Sequence, residues 1–212
     1  MSDRERFENS RFAQAYLRVG EKADRRGVVE HRRRLLAGLA GAVCEVGAGQ
    51  GLNFAHYPPT VTHVLAVEPE PTLRRHATAL AARARVPVDV VAGSADRLPM
   101  PDGSCDAVVA SLVLCSVPNQ SDALAEAWRV LRPGGELRFY EHVRSRHAAV
   151  AWLEDLATPL WSRMAGGCHP NRDTVAAIRD AGFDQVVVDR FGFAPHPILP
   201  PAAHVLGRAE RP

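Results

Sequence analysis

Two carboxylates and a set of glycines are the residues whose types and spacing point first to chemistry. Val43-Cys44-Glu45-Val46-Gly47-Ala48-Gly49-Gln50-Gly51 is an apolar run ending in a carboxylate and three glycines on alternate positions. The run reads as a buried parallel strand, and the glycines as the tight turn that leads from it into a helix. Glycine suits that turn because the chain needs positive φ there and a ligand must approach the backbone. Glu68 ends a second apolar run, Val64-Leu65-Ala66-Val67. It lies about twenty residues past the glycines, where a carboxylate accepts both hydroxyls of an adenosine ribose. Together they read as a nucleotide cradle.

The details of the turn choose the nucleotide. Dinucleotide sites carry G-x-G-x-x-G. Here Gly47, Gly49 and Gly51 form G-x-G-x-G, and Leu52 stands where the third glycine should fall. Glu45, two residues before the first glycine, would repel a pyrophosphate but favour a cofactor bearing an ammonium and a sulfonium. S-adenosylmethionine is such a cofactor.

The chain of 212 residues is long enough for one domain with a full core, read as residues 1–212. Hydrophobic residues at 46% and charged residues at 24% are ordinary for a globular protein and exclude disorder. A formal net charge of +2 points to neither nucleic acid nor membrane. No apolar run reaches the ~18 residues that span a bilayer, and the charged start, Met1 to Arg6, has no signal-peptide core behind it. A soluble cytoplasmic protein follows, working as a monomer or homodimer. The cysteines, Cys44, Cys105, Cys115 and Cys168, show no CxxC spacing, so no metal is expected. Cys44 reads as a small buried hydrophobe, whereas Cys115 and Cys168 fall where a substrate would sit.

The elements that position these residues alternate. Residues 1–41 read as a helical cap, with helices over 4–19 (Phe7, Phe12, Tyr16 and Val19 on one face) and 25–39. Arg32-Arg33-Arg34 reads as a solvated surface, since three consecutive arginines cannot share one helix face. Strands at 42–46, 64–68, 88–91, 106–111 and 136–140 alternate with helices at 73–85 and 121–131, which makes a parallel sheet with helices on both faces. Ligands then bind beyond the carboxyl ends of the strands. Residues 42–140 form the cofactor core and 141–212 the acceptor side. That side holds a helix over 147–165 that Pro159 should bend or divide, a helix to Asp180 capped by Asn171 or Asp173, and Gly182 as a helix-ending glycine. Strands at 186–188 and 204–208 flank a loop stiffened by Pro195, Pro197, Pro200 and Pro201.

At this point the chain resembles the class I S-adenosylmethionine-dependent methyltransferases. The resemblance is carried by Glu45 to Gly51, Val67-Glu68-Pro69, Gly93 to Pro99, Asp106 to Ser111 and Leu131-Arg132-Pro133-Gly134-Gly135, in family order. It implies a Rossmann-like sheet of seven strands in the order 3-2-1-4-5-7-6, the last strand antiparallel. It also implies that Glu45, Gly47, Ala48, Gly49, Gly51 and Asn53 surround the methionine part and that Glu68, with Pro69, holds the ribose. Ser94, Ala95 and Asp96 would recognise adenine, and Ser111 and Leu112 would line the reactive end. Arg132 to Gly135 is a structural turn. Ser111 to Val117, Glu141-His142-Val143, Trp161 and Gly167-Cys168 are similar to the branch of the microsomal alkyl-thiol methyltransferases, whose N-terminal anchor is absent here. The implied reaction is methylation of a small apolar molecule such as a thiol. Methylation of a quinone or phenol is the alternative, followed by a nicotinamide oxidoreductase and by a non-catalytic cofactor-binding protein.

Alignment of the nucleophile and exclusion of water are the protein's main tasks in such a transfer. A thiol needs little help to ionise, whereas a hydroxyl needs a positioned base. His142 follows the fifth strand at the reactive edge and is the best base, or else it bonds the inserted helix. Glu141 could orient it or pair with an arginine. His169 and His196 are weaker candidates for the base. Tyr16, Cys115, Trp152, Trp161, His169 and Phe193 are candidates for the acceptor pocket, with Phe191 divided between core and wall.

Overall fold

Strand residues that are apolar on both sides dictate a sheet covered on both faces, and the fold is built on that requirement. The computed structural model describes residues 10–194 and 201–212. Phe7, Pro195, His196, Pro197 and Pro200 lie outside the described residues. In chain order the elements are α1 (Ser10–Ala23), α2 (Val29–Leu36), β1 (Gly41–Val46), β2 (Val61–Val67), α3 (Pro71–Ala81), β3 (Val88–Val91), β4 (Cys105–Ser111) and α4 (Gln120–Val130). They continue with β5 (Leu131–His142), α5 (Ala148–Met164), α6 (Thr174–Asp180), β6 (Asp184–Phe193) and β7 (Ala202–Glu210).

The seven strands form one sheet in the order β3-β2-β1-β4-β5-β7-β6. β1 to β5 pair in parallel, while β7 runs antiparallel to both β5 and β6. The implied Rossmann-like order is therefore present. The two-residue period of the strands divides the core. Cys44, Val46, Val108, Ala110, Leu137 and Phe139 pack on one face with Leu124 of α4 and Ile178 of α6. Val43, Val64, Ala66, Ala107, Val109 and Tyr140 pack on the other with Leu35 and Leu36 of α2 and Ala77 of α3. Cys44 is wholly buried, as its apolar run implied.

Local chemistry sets the helix starts. Glu70 accepts from the Leu73 N–H with Pro71 in the first turn, Asn119 accepts from Ser121, and Asp173, not Asn171, caps α6. Gly182 follows α6 at φ +94°.

Several boundaries differ from the sequence reading. The N-terminal helix runs on to Ala23 and the break comes at Gly27, whose φ of +116° kinks the chain between α1 and α2. Arg132 to Gly135 turns inside the start of β5, where the pairing with β4 shifts register. β6 and β7 are longer than expected because each finds a full-length antiparallel partner. α5 continues through Pro159 to Met164, and its apolar side chains Trp152, Leu156, Leu160 and Met164 face outward. No helix among the described residues is long and apolar enough to cross a membrane.

Leu124 is fully buried where α4 meets the sheet. Leu124→Ala should lower the unfolding free energy by about 2–5 kcal/mol in urea titration. A loss under about 1 kcal/mol would show that α4 does not carry this face.

Candidate active site

The glycine turn leaves β1 at the carboxyl edge of the sheet, between the ends of β2 and β4. Gly47 has φ +60°, and a Cβ there would lie 2.7 Å from the Val113 side chain, so the loop after β4 sits against bare backbone. Glu68 closes the other side. Its Oε2 accepts from the Gly49 N–H at 2.7 Å and its Oε1 from the Glu70 N–H at 2.9 Å. The Tyr16 ring of α1 lies over Gly49, 3.3 Å from where a Cβ would stand, so the N-terminal helix covers the turn.

Glu45 is buried beneath this turn. Asn53 Nδ2 donates to its Oε1 at 2.8 Å and the Tyr57 hydroxyl to its Oε2 at 2.7 Å. Arg32 donates to the Asn53 amide oxygen at 2.9 Å and to Asp24 at 3.0 Å. This corrects the reading of the three arginines: Arg33 and Arg34 are exposed, but Arg32 is buried and organises the pocket. Burial pushes the Glu45 carboxyl up to about 7 against the pull of its hydrogen bonds. Burial likewise raises Glu68 to about 7, against the Glu70 and Gly49 N–H groups.

Beyond β3, Ser94 donates to Asp96 and the Arg97 N–H bonds the Ser94 carbonyl at 3.2 Å, folding a tight loop around Ala95. Beyond β4, Leu112 takes φ +60°, a strained conformation for a side-chain-bearing residue. The strain is held by Glu141. Its buried carboxylate accepts the backbone N–H groups of Val113, Leu114 and Cys115 at 3.0, 2.9 and 3.0 Å. Arg172 grips the same loop through the carbonyls of Leu114 (2.9 Å) and Val117 (2.7 Å). Glu141 thus neither orients His142 nor pairs with an arginine.

This loop presents Cys115 to His142 and Cys168. His142 Nδ1 lies 3.8 Å from Cys115 Sγ and 3.6 Å from Cys168 Sγ, and the two sulfurs are 3.7 Å apart. Gly167 makes the approach possible: at φ +87°, a Cβ there would strike the Ser116 carbonyl at 2.9 Å. Hydrogen bonds with Cys115, His142 and Trp161 hold the Cys168 thiol well below the usual range, and Cys115 is held above it. The His142 ring packs on His204 at 4.4 Å, within a cluster of Tyr140, Phe191, Phe193 and His31. Burial pushes His204 down to about 3, so that ring is neutral.

A methyltransferase domain model matches residues 44–139. Thiol S-methyltransferase TMT1B of Homo sapiens is 36% identical over 184 residues, covering 83% of this chain and 74% of that protein. The chain belongs to the S-adenosylmethionine-dependent methyltransferases. A second thiol S-methyltransferase of Homo sapiens, TMT1A, is 35% identical over 149 residues, 68% of this chain and 61% of that one. The fold matches a Thermotoga maritima S-adenosylmethionine-dependent methyltransferase, a possible histamine N-methyltransferase, at TM-score 0.71 and 21% identity over 95% of this chain and 97% of that one.

The lining of the methyltransferase pocket suits the chemistry of its cofactor, S-adenosylmethionine. Tyr16, Glu45, Gly47, Ala48, Asn53 and Ser111 line one cavity at the glycine turn, with Gln50 and Arg32. Two buried polar atoms on its wall, Gln50 Oε1 and Ser111 Oγ, have no hydrogen-bond partner. A ligand with an ammonium and hydroxyl groups satisfies such atoms. Of the acceptor-pocket candidates, Cys115 reaches the histidine at the reactive edge, and Trp161 bonds Cys168 while remaining 45% exposed. Phe193 packs on His31 at 4.8 Å, and the His169 ring is turned to its own loop at the Gly167 carbonyl. Trp152 is 63% exposed on the outer side of α5, which runs against its expected place in a pocket wall. Sequence reasoning missed Tyr57, Gln50, Arg32 and His204. Only Arg32 carried a signal, falling three and four residues before the buried pair Leu35 and Leu36.

Glu45 and Glu68 keep their protons to about 7 when folded, against 4.5 ordinarily. Between those values the folded protein binds protons that the unfolded chain has released, so stability falls as pH rises and then levels off. Urea titrations across that window should show this slope, and Glu45→Gln should flatten it. An unchanged slope in the variant would mean that Glu45 is already ionised.

Proposed function

We propose that this methyltransferase methylates the sulfur of a small apolar thiol. The observation that supports it most is the convergence of His142, Cys115 and Cys168 beyond β4 and β5, at the same sheet edge as the glycine turn. The aromatic cluster behind His142 gives that end an apolar wall. The two thiol S-methyltransferases of similar sequence support the same acceptor class.

When bound, S-adenosylmethionine supplies an activated methyl group on a sulfonium. Glu45 and the backbone of Gly47, Ala48, Gly49 and Gly51 hold its amino-acid end, with Asn53 keeping Glu45 in place. Glu68, with Pro69 in the connection just past β2, holds the ribose. Ser94, Ala95 and Asp96 take the adenine. Ser111 and Leu112 border the reactive end, and Tyr16 on α1 closes it from water. His142 presents Nδ1 beside the two cysteine sulfurs and promotes ionisation of the acceptor's sulfur. A thiol with pKa ~8.5 needs only a modest push. The reading also has the protein acting in the cytoplasm as a monomer or homodimer on free small molecules. The near-neutral formal charge of +2 supports that setting.

Labelled S-adenosylmethionine with a panel of thiols, phenols, amines and quinols tests the acceptor. Label should pass to thiols, and His142→Asn should lower kcat by about 10²-fold with little change in affinity for S-adenosylhomocysteine. Transfer to quinols alone would overturn the thiol reading. For the cofactor, Glu68→Ala should weaken S-adenosylhomocysteine binding by about 10- to 100-fold in calorimetry. Unweakened binding would remove Glu68 from the ribose site.

A further inference from the structure

We propose that Cys115, His142 and Cys168 form a binding site for one thiophilic divalent cation of the zinc class, with its fourth position open to the acceptor's sulfur. Tetrahedral zinc with Zn–S bonds of about 2.3 Å and Zn–N of about 2.0–2.1 Å needs ligand separations of about 3.8 Å for S–S and about 3.6 Å for S–N. The three donor atoms stand at 3.7 Å (S–S) and at 3.6 and 3.8 Å (S–N). They already form one face of a zinc tetrahedron. Among the described residues this is the cluster of three ligating side chains whose donor atoms lie within 4.8 Å of one another. Two cysteines and one histidine with an open position is the donor set of a catalytic zinc rather than a structural one.

The surroundings suit such an ion. Cys115 is fixed at both backbone groups, its N–H on Glu141 and its carbonyl accepting from the His169 N–H at 2.7 Å. Cys168 is fixed by the close fit of Gly167 under the Ser116 carbonyl. Supports of this kind hold ligands ready for a metal. Charge also balances. Two thiolates and the Glu141 carboxylate carry three negative charges, and the half-buried Arg172 with a divalent cation carries three positive ones. Each thiol gives its proton to solvent as its bond to the metal forms. The ligands are 27 and 26 residues apart in the chain, in three separate loops and strand ends, so no CxxC spacing announces them.

The part played by the acceptor rests on the thiol reading above. A thiol entering the fourth position gives its proton to solvent, because the cation stabilises the thiolate. His142 would then promote ionisation as a ligand, through the cation.

The test is to titrate the reduced, metal-free protein with cobalt(II) and then displace it with zinc(II). One equivalent should bind, with the thiolate-to-cobalt charge transfer and the intense visible bands of a tetrahedral site. Cys168→Ser and His142→Asn should each weaken binding by at least about 10- to 100-fold. Cys105→Ala, a change at a buried cysteine that bonds the Val130 carbonyl, should leave it intact. S-adenosylhomocysteine binding by the same variants checks that they are folded. Absence of the charge-transfer band, or its persistence in both ligand variants, would overturn the site. Thiol methylation that survives removal of the metal would overturn the cation's part in the reaction and leave the thiol reading standing. Stoichiometric metal binding without turnover of any thiol would do the reverse.

Discussion

The Glu141 carboxylate has no exposed surface, and it accepts three consecutive backbone N–H groups, from Val113, Leu114 and Cys115. Burying a lone carboxylate costs several kcal/mol. Burial accordingly raises its pKa, while the three N–H groups pull the other way. Hydrogen bonds to a charged group contribute about 1.5–3 kcal/mol each, so three of them offset part of that cost. The bonds also bend the chain sharply after β4, at the left-handed Leu112. Without them the loop would be left with the Arg172 bonds to its carbonyls and the His169 N–H bond to Cys115. The residue on the next position of the same strand is His142 itself, so one strand end both holds the loop and supplies the imidazole.

The glycine turn works by the same means on the opposite side of the pocket. Glu68 accepts the Gly49 N–H and Glu45 is held by Asn53 and Tyr57, so buried carboxylates replace regular secondary structure as the partners of a tight turn. The two arrangements meet where the Val113 side chain lies against bare Gly47. The glycine turn and the loop after β4 are thus held together by this contact. α1 spans both: Tyr16 lies over Gly49, and Phe12 lies where a Cβ on Gly166 would fall.

Much of this was legible in the sequence. The strand pattern and the position of Glu68 are short-range signals that map onto the observed sheet, whereas the helix expected after the glycines is only the short turn Phe54–His56. Cofactor residues cluster at strand ends, which periodicity can find. What escaped were side chains paired across long separations. Arg32 looked like surface because its neighbours are charged, yet it bonds Asn53 of another segment. Glu141 looked like a partner for an arginine because nothing local marks a carboxylate that will meet backbone 26 to 28 residues away. Trp152 looked like a pocket wall because an apolar stripe on a helix does not say which side faces the sheet, and the helix turned it outward. Cys115, His142 and Cys168 were each singled out, but as separate features.

The account stands or falls on whether the edge held by Glu141 is the reactive end of the cofactor site. A crystal structure with S-adenosylhomocysteine bound measures this directly. The account predicts the ribose hydroxyls on Glu68, the amino group beside Glu45, and the thioether sulfur turned toward Cys115, His142 and Cys168. A thioether sulfur pointing away from those three side chains, or a ribose held elsewhere than Glu68, would contradict it.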